Sequence, residues 1–255
     1  MRRFAFAFLA SLALVASPIT SAAPGSPRSG EAPLSGPQAD YNGDGFADLA
    51  VGIPYETVSG KSTAGAVNVL YGTAGGLTVT GTQLWHQDSP GVRNQVSTGD
   101  YFGDPIAPAD FNGDGFSDLA IGVPDETVRG KIDAGAINDA GAVNVLYGGS
   151  SGLTADGTQF WNQDSPGITD APEDTDFFGY TFAAGNWGNG SQADLAIAAP
   201  YETIVGDGGY EGAVHVLYGS QSGGLSSTGS QFWNQGVPGV PDQLEPNDFY
   251  GLALA

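Results

Sequence analysis

The chain repeats one unit three times in tandem, and no other feature restricts its fold as strongly. The copies run over 39–108, 109–184 and 185–255, and each shows the same succession. An acidic loop leads into an apolar run, "DLAVGIP", "DLAIGVP" or "DLAIAAP". An alternating segment follows and ends in Tyr-Gly: "GAVNVLYG" twice, then "GAVHVLYG". Next come "TQLWHQ", "TQFWNQ" or "SQFWNQ", a Pro/Gly-rich loop, and a closing "YFG", "FFG" or "FYG". The second copy is the longest because it carries an insert, Ala134 to Asp139.

Short runs rich in Val, Leu and aromatics, bounded by Gly and Pro, predict β-strands. About four such strands per unit, with no sustained helical periodicity, predict an all-β chain built as blades of a β-propeller. A blade cannot bury both its faces alone, so the copies are expected to stack on one another.

The residues also carry a family resemblance. Phe102-Gly103, Phe178-Gly179 and Tyr250-Gly251 stand as FG elements. Gly52-Ile53-Pro54, Gly122-Val123-Pro124 and Ala198-Ala199-Pro200 stand as GAP elements. The chain thus resembles FG-GAP repeat proteins, the units of the integrin α-subunit N-terminal propeller and of many secreted bacterial proteins. The third copy departs twice, with Tyr in its FG element and Ala in its GAP element. The integrin-type ring has seven blades, so three repeats imply an incomplete ring. That leaves a fragment, a truncated product, or an open array that self-associates through an exposed blade face or requires further C-terminal repeats.

The acidic loops carry the chemistry. In "DYNGDGFAD" the oxygen-bearing side chains alternate: Asp40, Asn42, Asp44 and Asp48, with the Phe46 carbonyl between them. Asp110, Asn112, Asp114, Phe116 and Asp118 repeat the set. Hard cations such as Ca²⁺ take roughly 6–8 oxygens from carboxylates, amides, carbonyls and water. An EF-hand would need a Glu at the twelfth position, where Val51 and Ile121 stand, and flanking helices. In FG-GAP repeats the equivalent loops bind Ca²⁺ between strands, with the ninth-position Asp closing the site, which matches Asp48 and Asp118. A plain solvated turn is the competing reading. Against it, two carboxylates about 5 Å apart repel by roughly 3 kcal/mol at an effective dielectric near 20. The third loop, Asn186 to Asp194, keeps only its terminal Asp, and a weak site or none is expected there.

Enzymatic chemistry has little to work with. The two histidines, His86 and His215, replace Asn at positions where the other copies carry Asn162 and Asn234, or Asn68 and Asn144. There are no cysteines. Trp85, Trp161 and Trp233 recur in register, which favours packing between blades over sugar stacking. Glu56, Glu126 and Glu202 in "ETV" or "ETI" read as turn structure. The copies differ most in the loops before the FG elements, 88–100, 164–176 and 236–248, where an unknown protein or glycan ligand is expected to bind.

The N-terminus has the order of a secretory signal peptide over 1–23: Arg2 and Arg3, an apolar run from Phe4 to Ala16, then small residues. Residues 24–38 read as a Pro/Gly/Ser linker. The net charge is −21, and Arg28, Lys61, Arg93, Arg129 and Lys131 are the bases beyond the signal. Nucleic acid is therefore a poor partner, and no later stretch is apolar enough to insert in a membrane. An exported chain without disulfides needs another means of holding its loops, and bound metal is the candidate.

The combined expectation is a secreted, Ca²⁺-stabilised propeller module with about two ion sites, acting in binding or adhesion and carrying no catalytic residues. The alternatives are the non-catalytic propeller portion of a larger secreted hydrolase of phospholipase or esterase type, and a purely structural surface repeat.

Overall fold

The computed structural model describes residues 39–129, 135–188, 190–206 and 209–255. The signal peptide and linker expected over 1–38, and Ala134 at the start of the insert, lie outside these. All the regular structure among the described residues is β, in antiparallel sheets joined by turns.

Three sheets follow the three copies. The first is β1 (Leu49–Ile53), β2 (Ala66–Tyr71) and β3 (Thr78–Trp85). The second contains β4 (Ile106–Ala109), β5 (Asp118–Val123), β8 (Ala142–Tyr147) and β9 (Thr154–Trp161). The third is β10 (Phe182–Gly185), β11 (Asp194–Ala199), β12 (Ala213–Ser220) and β13 (Gly224–Trp233). Within the insert, β7 (Ala136–Ile137) pairs with β6 (Val128–Arg129) as a small ribbon. The sheets form an open partial propeller, as the repeats predict.

The sheets are phased differently from the sequence copies. β4 and β10 straddle the copy boundaries at 108/109 and 184/185, and Ala109 pairs with Asp118. The second and third acidic loops are therefore hairpins within a sheet, joining its first strand to its second, while the first loop stands before β1 and is closed by Asp48 N bonded to Ala39 O at 2.5 Å.

Strand alternation explains the stacking. On β5, Leu119, Ile121 and Val123 face the first sheet, where they meet Val67, Val69 and Tyr71. Ala120 faces the third sheet together with Val143, Val145 and Tyr147, against Leu195, Ile197 and Leu217. The strand is buried on both faces, and all six of its residues are inaccessible. In the first sheet the same positions face outward, so Leu49 is 44% exposed and Val51 40%.

The repeated motifs occupy the seams between sheets. Tyr71 Oη donates to Gln83 Oε1 at 2.5 Å, and Gln83 Oε1 accepts from Leu153 N at 3.1 Å while its Nε2 donates to Leu153 O at 2.8 Å. Tyr147, Gln159 and Leu225 repeat this one sheet later. The Tyr-Gly and T/S-Q-x-W motifs are thus two halves of one clamp on the next sheet. A Cβ at Gly152 would lie 1.8 Å from the Tyr71 hydroxyl, so only glycine fits under it. The FG element works likewise: Phe102 N donates to Ala64 O at 3.0 Å, and Gly103 O lies 2.1 Å from where a Gly52 Cβ would stand.

The stacking predicts unequal costs for one substitution at equivalent positions. Leu119→Ala should destabilise the chain by about 2–5 kcal/mol, against under about 1 kcal/mol for Leu49→Ala. Urea unfolding of the two variants measures both.

Candidate metal centre

Each acidic loop is wound by its own side chains. Asp110 Oδ1 accepts from Gly113 N at 2.6 Å and from Asp114 N at 3.2 Å, and its Oδ2 accepts from Gly115 N at 3.0 Å. Asn112 Oδ1 accepts from Asp114 N, and Asp114 Oδ1 from Phe116 N, both at 2.9 Å. Asp40, Asn42, Asp44, Gly45 and Phe46 reproduce the pattern at 2.9–3.1 Å, apart from the Gly113 bond. These Asx-type bonds turn the backbone tightly and gather Asp110, Asn112 and Asp114 on the exposed side of the hairpin.

Asp48 and Asp118 sit beneath that group. Asp118 has no exposure; its Oδ2 accepts from Phe111 N at 2.8 Å and its Oδ1 from Gly148 N at 3.0 Å. Asp48 makes the same pair with Tyr41 N and Gly72 N, both at 2.8 Å. Burial pushes the Asp118 carboxyl up to about 7, and the charges of Asp114 and Asp110 add to the shift. Burial likewise raises Asp48, with smaller contributions from Asp40 and Asp44. The buried Asp is thus within electrostatic reach of the exposed ligand positions.

The third loop separates two roles of this Asp. Asp194 keeps the pattern, accepting from Trp187 N, Gly188 N and Gly219 N at 2.7–3.0 Å, although the inner carboxylates are gone. The ninth-position Asp therefore ties its loop to the Tyr-Gly turn whether or not the other donors are present. The sequence reading gave it only the role of closing an ion site.

The loops also join the sheets. Ser117 N donates to Asp40 O and Ala193 N to Asp110 O, both at 2.9 Å. The Phe116 ring lies against Gly43 of the preceding loop, whereas the Phe46 side chain is 42% exposed. A cleft of about 490 Å³ opens beside the first loop, lined by Asn42, Asp44, Tyr71 and Thr78. A second, of about 310 Å³, repeats it beside Asn112 and Asp114.

These residues fit a hard cation. Each of the first two loops offers three carboxylates and an amide oxygen on one hairpin, with a raised buried carboxyl that a positive charge would relieve.

At the opposite end of the strands lies a second acidic network. Glu126 and Glu202 do sit in turns, with Glu126 N bonded to Val123 O at 3.1 Å, but their side chains turn inward and are buried. Gln87 Nε2 donates to Glu126 Oε2 at 2.6 Å, and Gln163 Nε2 donates to Glu202 Oε2. Asp100 and Asp176, just before the FG elements, are buried beside them. Sequence reading missed this network, though Gln87, Gln163 and Gln235 recur in register, as do Asp100, Asp176 and Asp248.

The other singled-out residues are structural. Trp85, Trp161 and Trp233 are half-buried, each packed against one core cluster. His215 is 1% exposed between the rings of Phe178 and Phe232, and burial lowers its imidazole to about 3.

Glu126 provides a pH test. Burial, then Asp100, raise its carboxyl from 4.5 to about 8. Between these values the folded chain retains a proton that the unfolded chain has lost, so this group's contribution to stability falls as pH rises. Glu126→Gln should flatten that part of the curve, as read from unfolding midpoints between pH 4.5 and 8.

Residues 32–70 and 102–146 match the family profile described as FG-GAP repeat. The chain is 31% identical over 185 residues to phosphatidylinositol-glycan-specific phospholipase D of Bos taurus, covering 72% of this chain and 20% of that protein. It is 28% identical over 193 residues to integrin alpha-PS2 of Drosophila melanogaster, covering 73% of this chain and 11% of that protein. With integrin alpha-7 of Homo sapiens the identity is 30% over 169 residues, covering 66% and 12%. The chain thus spans about a fifth of the phospholipases it matches and a smaller share of the integrins. It carries FG-GAP repeats homologous to segments of integrin α chains and of these phospholipases.

Proposed function

We propose that the chain is a secreted, calcium-stabilised propeller module that acts by binding, as in adhesion. The observation that carries this reading is the pair of loops at Asp40–Asp48 and Asp110–Asp118, each gathering Asp and Asn oxygens on one hairpin above a buried Asp. Asp40, Asn42, Asp44 and Asp48 would hold one ion, and Asp110, Asn112, Asp114 and Asp118 the other, with the carbonyls of Phe46 and Phe116 as further donors. The ion supplies positive charge where the chain supplies almost none, and so holds the hairpins that join neighbouring sheets.

Ligand binding is assigned to the other end of the strands, where the copies diverge. There Tyr201 is ringed by Phe177, Tyr210 and Phe249 at centroid distances of 5.0–5.4 Å, an aromatic surface suited to a protein or glycan partner. Secretion follows from the order of residues 1–23. A second reading is favoured by the matches to phospholipase D: the chain would then be the non-catalytic propeller part of a larger secreted hydrolase.

Calcium is expected to raise the melting temperature and EGTA to lower it, with Asp44→Asn and Asp114→Asn together abolishing most of the difference. Calorimetry that finds no shift with Ca²⁺ would sink the ion reading. Exported from a secreting host, the chain should begin near Pro24, as read by intact mass. Retention of Met1 to Ala23 would count against secretion.

A further inference from the structure

The first two acidic loops share the tetrapeptide Asn-Gly-Asp-Gly, beginning at Asn42 and at Asn112. An Asn followed by Gly is open to attack by the chain on itself. With no Cβ on the second residue, its backbone nitrogen can close on the Asn side-chain carbonyl. A third pair, Asn189-Gly190, has its Asn outside the described residues.

The loop prepares the Asn side chain for this reaction. Asn42 Oδ1 accepts from Asp44 N at 2.9 Å, and Asn42 Nδ2 donates to Asp44 Oδ2 at 3.0 Å. The backbone N–H polarises the carbonyl and would hold the negative oxygen that forms when a nucleophile adds to Cγ. The carboxylate stands beside the nitrogen that must leave as ammonia. Asn112 has both contacts too, to Asp114 at 2.9 Å each. The glycines are also alike, with φ of 70° at Gly43 and 73° at Gly113. The Phe116 ring lies against the first and the Gln192 side chain against the second.

One bond separates the two loops. Gly113 N donates to Asp110 Oδ1 at 2.6 Å. In the first loop Asp40 Oδ1 accepts from Asp44 N at 3.1 Å, and Gly43 N donates to no group among the described residues. A glycine nitrogen attacks only after losing its proton. A carboxylate that holds that proton at short range opposes both the loss and the movement toward Cγ. Gly43 N is under no such restraint.

We propose that Asn42 is a self-modification site, converted through the Gly43 nitrogen to aspartate and isoaspartate ahead of Asn112. Base removes the Gly43 amide proton, the bond from Gly43 N to Asn42 Cγ forms, and the Cγ–Nδ2 bond breaks to release ammonia. Water then opens the cyclic imide at either carbonyl. In sum, an amide and a water give a carboxylate and an ammonium ion. The product adds a negative charge to a loop that already carries Asp40, Asp44 and Asp48. In its isoaspartate form it also lengthens the backbone. The tetrapeptide is the same in both loops, so only the Asp110–Gly113 bond sets an order between them. The reaction needs no ion in either loop.

Ageing the full chain in EGTA at mildly alkaline pH, in water labelled with heavy oxygen, tests this by mass-spectrometric peptide mapping. Asn42 should convert about tenfold or more faster than Asn112, with labelled oxygen taken up and isoaspartate among the products. Asp110→Ala should speed Asn112 more than Asp40→Ala speeds Asn42. Both variants loosen their loops, but only the first frees a glycine nitrogen. Asn112 converting as fast as Asn42, no conversion at Asn42, products without isoaspartate, or equal acceleration in the two variants would each overturn the proposal.

Discussion

A sheet that is apolar on both faces has no stable place in water until something covers each face, and every other feature of this chain follows from that. β5 shows the condition directly. Its Leu119, Ile121 and Val123 belong to one core and its Ala120 to another. Fully burying such side chains contributes about 1.5–3 kcal/mol each, and the contribution exists only while both neighbouring sheets are in place. Stability is thus shared between nearest neighbours, as in other repeat architectures.

Stacked faces do not by themselves set a register, since aliphatic side chains slide past one another at little cost. Polar bonds at the seam do. The Tyr-Gln clamp holds Leu153 and Leu225 by their backbone groups at one end of the strands. The buried Gln-Glu pairs hold the other end. A slip of one residue would leave several buried donors and acceptors unmatched at once, which is how a few bonds of about 1 kcal/mol each select one arrangement.

Repetition made much of this legible in the sequence. The strands, the hairpin loops and the packing of the three Trp residues could be read from in-register recurrence, because local patterning and tertiary packing agree there. The phase of the sheets could not, because a tandem repeat looks the same wherever it is cut. Side-chain direction at turns was also hidden. Glu126 and Glu202 occupy turns, where a carboxylate normally faces water, yet here the neighbouring sheet covers them. The double role of Asp48 and Asp118 became visible only through Asp194, which makes the same backbone bonds in a loop that has lost the other donors.

The charge of the chain gives these observations a common cause. At −21, with few bases to distribute, most buried carboxylates have no cationic side chain to pair with. The structure handles them in three ways. Asp194 is satisfied by backbone N–H groups alone. Burial raises the Asp100 carboxyl, and hydrogen bonds from Ser97 and Gln87 with the Lys61 charge act against that rise. Asp48, Asp118, Asp176 and Glu202 have acids as their charged neighbours, so burial and repulsion act on them together and push their carboxyls upward. Such groups must either take up protons or share a cation, and only a cation also links the elements that carry them. The chain has no cysteines to tie its loops, and it carries these carboxylates, with no cationic side chain among the described residues acting on them, in the turns at the ends of its sheets.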